Sequence, residues 1–454
     1  MKLKKLTLKN FRGFKQFECD FQPSINVLVG LNGFGKSSLL DAIMLAYAQF
    51  IGGFGTASNK NISDSDIHKA KHLLGETEDD GFNMEYQMPT SITINTYSDE
   101  WHDFPESWAR VRNTLKGGTT SPSEPKSYAA NLQSLVRENA SVTLPLFSYY
   151  GTERLWPSNK MNLNFSKHGS SRLDVYTDCL DPASKYEKFS YWLKKETIAD
   201  HERKMRIIEE AGLEGAIVKG STVRGRLLEA VRQAINICLA NSGWSNIRYS
   251  ANAEEIIATH KEQGDIPVSH LSDGVRNMIG MVADIAYRAV NLNPNLDTRA
   301  VVDTHGIVLI DEVDMHLHPQ WQQLVLQNLA EAFPNIQFIV TTHSPLVIGD
   351  MKPSQVLLIK KEGNNQYFVE HPAQTYGLTS NDILNEVMRD RTTSSQISRN
   401  KEVEEFLENI NNLISNKQYE DASKKIEELE EILEGEIPEL VSAKLSIDLA
   451  DWGE

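Results

Sequence analysis

A glycine-rich segment has the residue types and the spacing of a phosphate-binding loop. Gly30 and Gly35 are separated by four residues, and Lys36 and Ser37 follow directly. In such a loop the backbone N–H groups turn inward around phosphates, the lysine reaches the β- and γ-phosphates, and the serine hydroxyl ligates Mg²⁺. The loop follows an apolar run, Ile25–Val29, and precedes a helical segment, which is the context that the motif requires. The residues expected to bind nucleotide are Asn32, Gly33, Gly35, Lys36, Ser37 and Ser38.

Two carboxylates and a histidine follow apolar runs later in the chain. Asp311 and Glu312 end the run Gly306–Ile310, and His343 comes shortly after the run Phe338–Val340. At a strand end beside a phosphate loop, Asp311 is expected to hold Mg²⁺, and Glu312 is expected to orient or deprotonate the attacking water. His343 is expected to contact the γ-phosphate. The predicted catalytic residues are therefore Glu312 and His343, and the predicted metal ligands are Ser37 and Asp311.

A second candidate anion site lies at Leu271–Arg276, where Ser272, Asp273 and Gly274 open a predicted helix. The amino end of a helix offers exposed N–H groups and the positive end of the helix dipole, and Ser272 adds a hydroxyl. A chain that has its own phosphate loop has little need of a second one nearby. The three residues are therefore expected to serve a nucleotide bound to another subunit, whereas a simple helix cap would have no such role.

These residues need a sheet to position them. Three short apolar runs, Ile307–Ile310, Phe338–Val340 and Val356–Ile359, are typical of parallel strands that are buried on both faces. Further strand character is present at Lys2–Phe14 and Val142–Tyr150. Strands that alternate with helical segments in this way predict an α/β fold.

A long helical segment interrupts the strands between Asp181 and Ser242. Its two parts, Tyr186–Ala211 and Val223–Leu239, have apolar residues at helical spacing. The glycines at 212, 215 and 220 lie between them and are expected to break the helix. The segment is therefore predicted to be a helical hairpin whose arms are each about 30–40 Å long.

The composition of the 454-residue chain restricts the possible classes of protein. With 40% hydrophobic residues the chain can form a large core, so global disorder is excluded. Three cysteines, Cys19, Cys179 and Cys238, are too few and too scattered for a disulfide framework or a cysteine-based zinc site, and they fit a reducing cytoplasm. No apolar stretch approaches the roughly 18 residues of a membrane span, and basic residues leave no apolar segment for a secretory signal at the amino terminus. A cytoplasmic protein without membrane contact is expected.

The formal net charge of −16 is concentrated in the segment Lys401–Glu454. This segment has 16 acidic and 5 basic residues, which gives a local charge of −11. Its apolar residues recur at helical spacing and form two stripes. The first stripe consists of Val403, Phe406, Leu407, Ile410, Leu413 and Ile414, and the second of Ala422, Ile426, Leu429 and Leu433. The segment is therefore predicted to be a small amphipathic helical module, and its stripes and charge make it the candidate docking surface for a partner.

In their order along the chain, these motifs resemble those of ABC-type ATPases of the SMC/RecF/OLD-like group. The resemblance covers roughly residues 1–375. Gly30–Ser37 resembles the Walker A motif, Leu271–Val275 the signature motif, with Leu-Ser-Asp-Gly in place of Leu-Ser-Gly-Gly, Ile307–Glu312 the Walker B motif, and His343 the switch histidine. Asn10–Phe14 resembles the opening of the group, in which the arginine, here Arg12, reaches the nucleotide. Asp314–Pro319 resembles the segment that follows Walker B.

Two features depart from the pattern of the group. No clear glutamine marks a Q-loop, and Tyr150–Arg154, which follows a predicted strand, occupies a comparable place. His316 and His318 alternate as a pair of metal ligands could, but the preferred interpretation places them in a subunit interface.

The resemblance implies an α/β fold with three parts. An ABC-type P-loop ATPase head consists of residues 1–180 and 243–375, a short helical-hairpin insertion of residues 181–242, and a C-terminal acidic helical module for partner docking of residues 376–454. It also implies ATP and Mg²⁺ as cofactors and homo-oligomers formed through ATP-sandwiched dimers.

Within the group, the chain is most similar to the PtuA ATPases of Septu and of some retron anti-phage systems. The short insertion, the helical carboxyl-terminal part and the segment Tyr376–Ser380 carry this similarity. It implies a regulatory subunit that controls an HNH nuclease (PtuB-like), with nucleic acid bound at the level of the complex. Residues beyond 375 lack the strand-borne Asp-x-Asp pattern of OLD nucleases, so no nuclease domain is expected in this chain.

Two other functions stay open at this point. The chain could be a RecF-like ATPase that binds DNA when ATP closes its dimer, and basic residues on the predicted hairpin could form the DNA surface. These residues are Lys194, Lys195, Arg203, Lys204, Arg206, Arg224 and Arg226. The preferred interpretation of the same residues is a solvated helix face without a DNA partner. The third alternative is an ATP-binding scaffold with little turnover.

Overall fold

The computed structural model describes residues 1–56, 60–73, 82–97, 104–138, 141–154, 171–182, 186–219, 222–362, 366–388, 401–433 and 435–451. Between 211 and 219 it describes the backbone only. The chain divides into two compact units, Met1–Ile383 and Leu384–Glu454.

The described strands form four sheets. In chain order they are β1 (Leu3–Phe11), β2 (Phe14–Asp20), β3 (Ile25–Val29), β4 (Lys69–Leu73), β5 (Phe82–Tyr86), β6 (Thr90–Thr96), β7 (Ser107–Arg112), β8 (Thr119–Thr120), β9 (Leu146–Tyr150), β10 (Trp244–Ser250), β11 (Glu255–His260), β12 (Gly264–Pro267), β13 (Gly306–Ile310), β14 (Ile336–Thr341), β15 (Val356–Glu362) and β16 (Gln366–Glu370).

The described α-helices separate these strands or follow them. They are α1 (Lys36–Gly52), α2 (Glu124–Arg137), α3 (Glu187–Lys219), α4 (Val223–Cys238), α5 (Asp273–Leu292), α6 (Ala300–Asp303), α7 (Pro319–Ala332), α8 (Pro345–Gly349), α9 (Ser380–Asp382), α10 (Lys401–Ser415), α11 (Tyr419–Leu433) and α12 (Pro438–Asp451).

The central sheet has six strands in the order β16-β15-β3-β14-β13-β9. All neighbouring pairs are parallel except β15 and β16. Every residue of β3, β13, β14 and β9 is buried, as expected of strands covered on both faces. The predicted α/β fold of an ABC-type P-loop ATPase is confirmed.

The strand order brings three motifs to one edge of this sheet. β3 leads into the glycine-rich loop, β13 leads into Asp311, and β14, which leads toward His343, lies between them. Because the carboxyl ends of parallel strands meet at the same edge, the three segments converge there. The chain positions its polar residues by pairing strands that are more than 270 residues apart in sequence.

Helix α1 lies between the central sheet and an antiparallel sheet of order β2-β1-β6-β7-β8. Its side chains are apolar on nearly all sides and mostly buried, as expected of a helix covered all round. Trp108 Nε1 donates to the carbonyl of Ala46 at 3.0 Å, and the buried Arg110 donates to the carbonyl of Leu45. The antiparallel sheet thus holds the helix that follows the phosphate loop through two residues of β7.

Two predicted strands are shorter in the structure than in the sequence analysis. The segment Lys2–Phe14 breaks at Arg12, whose φ of 46° turns the chain between β1 and β2. The segment Val142–Tyr150 begins its pairing only at Leu146, because Pro145 has no N–H to donate to a ladder.

The predicted hairpin between β9 and β10 is unequal. Helix α3 continues through Gly212 and Gly215 to Lys219, so the prediction that these two glycines break the helix is wrong, and Gly220 lies outside the described residues. An interior glycine costs only about 1 kcal/mol and leaves the helical hydrogen bonds in place, unlike a proline. At 1.5 Å per residue α3 is about 50 Å long and α4 about 24 Å, in place of two arms of 30–40 Å.

The second unit contains α10, α11 and α12, which pack on one another. Its core includes Ile410 of α10, Ile426 and Leu429 of α11, and Leu440 of α12. The two stripes that the sequence offered as a docking surface therefore face this core, because packing the helices on one another removes these apolar side chains from water. None of the helices that the structure describes combines the length and the apolar composition that a membrane crossing requires.

Candidate functional site

The glycine-rich loop has the backbone conformation that a phosphate cradle needs. Gly33 and Gly35 have φ values of 83° and 85°, a region that glycine enters without strain. A Cβ on Gly35 would lie 2.6 Å from the ring of Phe14, so a side chain has no room there. Lys36 Nζ donates to the carbonyls of Gly30 at 2.8 Å and Leu31 at 3.2 Å. The lysine thus spans its own loop.

The Lys36 ammonium lies within the field of the two carboxylates that follow β13. Burial lowers the pKa of Lys36, and the negative charges of Asp311 and Glu312 oppose that shift. The lysine is 8% exposed, so few waters are available to solvate its charge. A buried cation facing two carboxylates is an arrangement that can receive the phosphates and the metal of a nucleotide.

Asp311 and Glu312 are held by the neighbouring strands. The Thr341 hydroxyl, at the end of β14, donates to Asp311 Oδ1 at 2.5 Å and accepts from the Glu312 N–H at 2.8 Å. The Asp311 N–H donates to the carbonyl of Tyr150 at the end of β9, at 2.8 Å. Glu312 itself has a φ of 49°, which is uncommon for a residue with a side chain. The carboxylates are therefore fixed by contacts that span three strands.

Arg154 ends the segment Tyr150–Arg154, which was expected in the place of a Q-loop but to which the motifs assigned no role. Its guanidinium, in a residue that is 3% exposed, donates to the carbonyls of Gly151, Asp311 and Glu312, the last at 2.6 Å. Burial lowers the pKa of Arg154, while nearby tyrosine and carboxylate groups oppose the shift. The segment Tyr150–Arg154 therefore supports the backbone of Asp311 and Glu312 through the guanidinium of Arg154.

His343 lies near the lysine and the carboxylates, at the end of β14. Burial lowers its pKa, the charge of Lys36 lowers it further, and Glu312, Asp314 and Asp311 oppose the shift. The lowered pKa favours the neutral imidazole, in which one ring nitrogen is a donor and the other an acceptor. The structure thus brings Lys36, Asp311, Glu312 and His343 together, as the sequence predicted for a shared site.

Arg12 approaches the other side of the phosphate loop. Its guanidinium forms ion pairs with Asp41 at 2.5 Å and Asp66 at 2.8 Å, and it donates to Ser38 Oγ at 3.5 Å. Burial alone would lower the pKa of Arg12, but the two aspartates raise it. Neither Asp41 nor Asp66 was expected at the site from the sequence, although Asp41 follows Lys36 by just over one helical turn. These carboxylates hold the arginine beside the first turn of α1.

The signature segment stands apart from these groups. Ser272 precedes α5 and is exposed, and its hydroxyl does not cap the helix. Asp273 forms an ion pair with Arg276, one turn along the same helix. Among the hydrogen bonds and ion pairs of the described residues, none joins Ser272, Asp273 or Gly274 to the phosphate loop, the two carboxylates or His343.

Gly274 fixes where the signature segment lies. A Cβ at this position would be 2.2 Å from the carbonyl oxygen of His316, so only glycine allows the observed approach. His316, with a φ of 63°, belongs to the segment that follows Glu312. The start of α5 therefore rests on the backbone that leads away from the two carboxylates.

The residues present fit a nucleotide with Mg²⁺. Ser37 is exposed at the start of α1, and Asn32 and Gly33 are exposed in the loop, while Asp311 is 7% exposed. A hydroxyl and a carboxylate oxygen are ligands that Mg²⁺ accepts, with waters and phosphate oxygens completing its shell. Within the described ranges no group of three His, Cys, Asp or Glu forms a separate metal site. His318 instead accepts from the Gln320 N–H at 3.4 Å and begins α7, as expected of a cap.

Comparisons with known proteins identify a family and several relatives. A model of the family described as "AAA domain, putative AbiEii toxin, Type IV TA system" matches residues 25–349, from the first residue of β3 to the last of α8. The chain is 26% identical over 502 aligned residues to the "Retron Ec83 probable ATPase" of Escherichia coli, and the match covers 98% of this chain and 86% of that protein. It is 25% identical to the "Septu protein PtuA" of Bacillus mycoides (strain KBAB4), covering 84% of this chain and 44% of that one.

A solved structure also aligns with the chain. It is the SMC head bound to the C-terminal winged-helix domain of ScpA, with a TM-score of 0.46 and 17% identity. The alignment covers 82% of this chain and 98% of that one.

Proposed function

The chain belongs to the AAA-domain ATPase family whose model matches residues 25–349, and from this premise we propose that it is the ATP-binding and ATP-hydrolysing subunit of an anti-phage defence complex. Its predicted kinship with SMC/RecF-like ATPases, including those of retron and Septu systems, is confirmed. The convergence of Lys36, Asp311, Glu312 and His343 at one edge of the central sheet carries the proposal.

The side chains divide the work on the triphosphate. Lys36 is positioned to neutralise the β- and γ-phosphates, which replace the loop carbonyls as its partners. Mg²⁺, held by Ser37 and Asp311, would supply further charge neutralisation at the phosphate oxygens. Glu312 orients the attacking water and accepts its proton, and the neutral His343 can donate a hydrogen bond to the γ-phosphate.

The exposed signature supports a nucleotide shared between two chains. Ser272 and Asp273 are exposed at the start of the 20-residue helix α5, and neither they nor the buried Gly274 form hydrogen bonds to their own phosphate loop within the described residues. A helix amino end of this kind binds anions. We therefore infer that it closes over the ATP of a second copy, so that the complex contains ATP-sandwiched dimers.

The relatives support the biological role. The retron ATPase matches nearly the whole chain, including the C-terminal unit, and the Septu relative is a PtuA. We infer that the partner is an HNH nuclease (PtuB-like) that docks on the C-terminal module, and that nucleic acid binds at the level of the complex. The RecF-like alternative loses support at the hairpin, because Lys204, Arg224 and Arg226 are ion-paired with carboxylates of this chain.

Glu312→Gln tests the proposed chemistry. The amide keeps the shape of the side chain but cannot accept the proton of the attacking water, so we expect hydrolysis to fall roughly 10²–10⁴-fold while ATP affinity is retained. Nucleotide affinity, steady-state hydrolysis and mass by light scattering are measured with and without ATP. ATP should then trap a dimer of the variant.

The matched control is Glu331→Gln, an exposed glutamate on α7 that should leave all three measurements unchanged. Wild-type hydrolysis by the Glu312 variant would overturn the assignment of the base. Hydrolysis lost together with nucleotide affinity would show that Glu312 acts in binding.

A further inference from the structure

Helix α12 is apolar on two opposite sides. Its inner side, packed in the core of the C-terminal unit, consists of Leu440, Ala443 and Ile447, which are 0%, 7% and 7% exposed. Its other side, here called the α12 outer stripe, consists of Val441, Leu445 and Leu449, which are 41%, 56% and 74% exposed. These three residues are spaced by four, so they lie above one another on one face of the helix.

The outer stripe is not explained by the fold of the C-terminal unit. Single exposed apolar residues are ordinary on protein surfaces, but three in register on one helix form a continuous ridge. A helix with apolar side chains on opposite sides is typically covered on both. The two stripes that the sequence singled out, on α10 and α11, are used in the core, whereas Val441, Leu445 and Leu449 stay exposed and are available to a partner.

The surrounding charge restricts the chemistry of that partner. Lys401–Glu454 carry 16 acidic and 5 basic residues. Lys444, the only basic residue of α12, is held by Glu430 at 2.5 Å and Glu436 at 2.8 Å, while Asp448 lies next to Leu449 in the sequence of the helix. Nucleic acid and an anionic lipid surface would be repelled. A second copy of the module would oppose a local charge of −11 with the same charge.

We propose that the α12 outer stripe binds an amphipathic segment of a partner protein whose apolar side chains are flanked by Lys and Arg. Apolar contact with Val441, Leu445 and Leu449 provides the affinity, and the acidic border selects a basic partner and speeds its association. This inference rests on the proposed function in one respect, namely that the C-terminal module serves a partner at all.

The test uses the full-length chain and three synthetic helical peptides of equal length. The first has leucines at the spacing of the stripe with flanking lysines, the second has serines in place of the leucines, and the third has glutamates in place of the lysines. Binding is measured by fluorescence anisotropy at low and at moderate salt. The protein variants are Leu445→Ser with Leu449→Ser and, as the matched control, Val302→Ser, an apolar residue of the first unit that is 43% exposed.

We expect the wild type and Val302→Ser to bind the leucine–lysine peptide at least tenfold more tightly than either other peptide. The double variant should lose that preference, and salt should weaken the binding. Equal binding by the double variant would overturn the site, and equal binding of the glutamate peptide would overturn the basic partner. A mass that falls from dimer to monomer in the double variant without nucleotide would assign the stripe to a second copy and also overturn the proposal.

ATP affinity is measured on the same samples, which separates the two conclusions. Wild-type protein that binds the peptide but no ATP would contradict the proposed function and leave the docking surface standing. Retained ATP affinity with no peptide preference would contradict the docking surface and leave the proposed function standing.

Discussion

Burial and the charge of Lys36 together lower the pKa of His343, so the lysine and the histidine belong to one electrostatic unit. Burial and the charge of the lysine both favour the neutral form of the histidine, and a neutral imidazole can hydrogen-bond a phosphate without adding a second fixed cation. The same lysine provides the charge that the nucleotide needs.

Lys36→Met should therefore change two measurements. Nucleotide affinity should fall roughly 10–100-fold, because a charge-assisted hydrogen-bonding group is lost. The pKa of His343 should rise, because the lysine no longer opposes the protonated ring while Glu312, Asp314 and Asp311 still favour it. Calorimetry measures the affinity, and an NMR titration of the imidazole measures the pKa. Lys195→Met, an exposed lysine on α3, is the control, and an unchanged His343 pKa in Lys36→Met would contradict the pairing.

Arg154 acts on the carboxylates through their backbone. Arg154→Lys keeps the charge but cannot donate to three carbonyls at once, so the segment around the strained Glu312 should loosen. We expect kcat to fall roughly 10–100-fold with little change in KM for ATP, as for other residues that orient a catalytic group. Arg203→Lys, on an exposed position of α3, should change neither constant. A rise in KM for ATP with kcat unchanged would assign Arg154 to nucleotide binding.

At the scale of elements, the contact between α5 and the segment after β13 depends on one glycine. Gly274→Ala would place a Cβ 2.2 Å from the carbonyl oxygen of His316. Neither atom can move away from the other without a shift of the backbone. The helix must shift, at a cost of about 1–3 kcal/mol in the free energy of unfolding. Gly118→Ala is the matched control, because nothing lies within 4 Å of its added Cβ. Denaturant unfolding of both variants measures the difference, and equal stability would show that the contact yields without cost.

The sequence predicted those parts of the site that are encoded locally. The glycine-rich loop, Lys36 and Ser37 lie within nine residues, and the strands that lead to Asp311 and His343 are short apolar runs. The loop and these strands could therefore be identified without knowing what they contact. The roles of Thr341 and Arg154 could not be predicted in this way. Both residues bind Asp311 or Glu312, which only the order of the strands in the sheet brings close to them. The glycines of α3 misled the prediction for a related reason: local propensity is weak beside the cooperativity of a long helix.

At the scale of the whole molecule, the chain consists of two units with separate cores. The nucleotide-binding residues all belong to the first unit, Met1–Ile383, and the outer stripe belongs to the second. The proposed chemistry and the proposed partner recognition therefore lie in different units of the chain.

Deleting residues 401–454 should separate the two activities. We expect ATP affinity and hydrolysis to stay within about twofold of the wild type, because no residue of the site is removed and the first unit keeps its own core. Capture of the co-expressed HNH partner should be lost. Hydrolysis assays and co-purification measure the two effects. A truncated chain that still captures the partner would exclude the C-terminal module as the docking surface.

The approach of Gly274 to His316 has a consequence for timing. In the proposed dimer, the surface that one chain would offer to its neighbour's ATP rests directly on the segment that begins at its own Glu312. In a dimer closed around two nucleotides, a displacement that follows cleavage in one site would therefore move the lid of the other. The contact would thus couple the two proposed sites, because cleavage at one would change the geometry of the other.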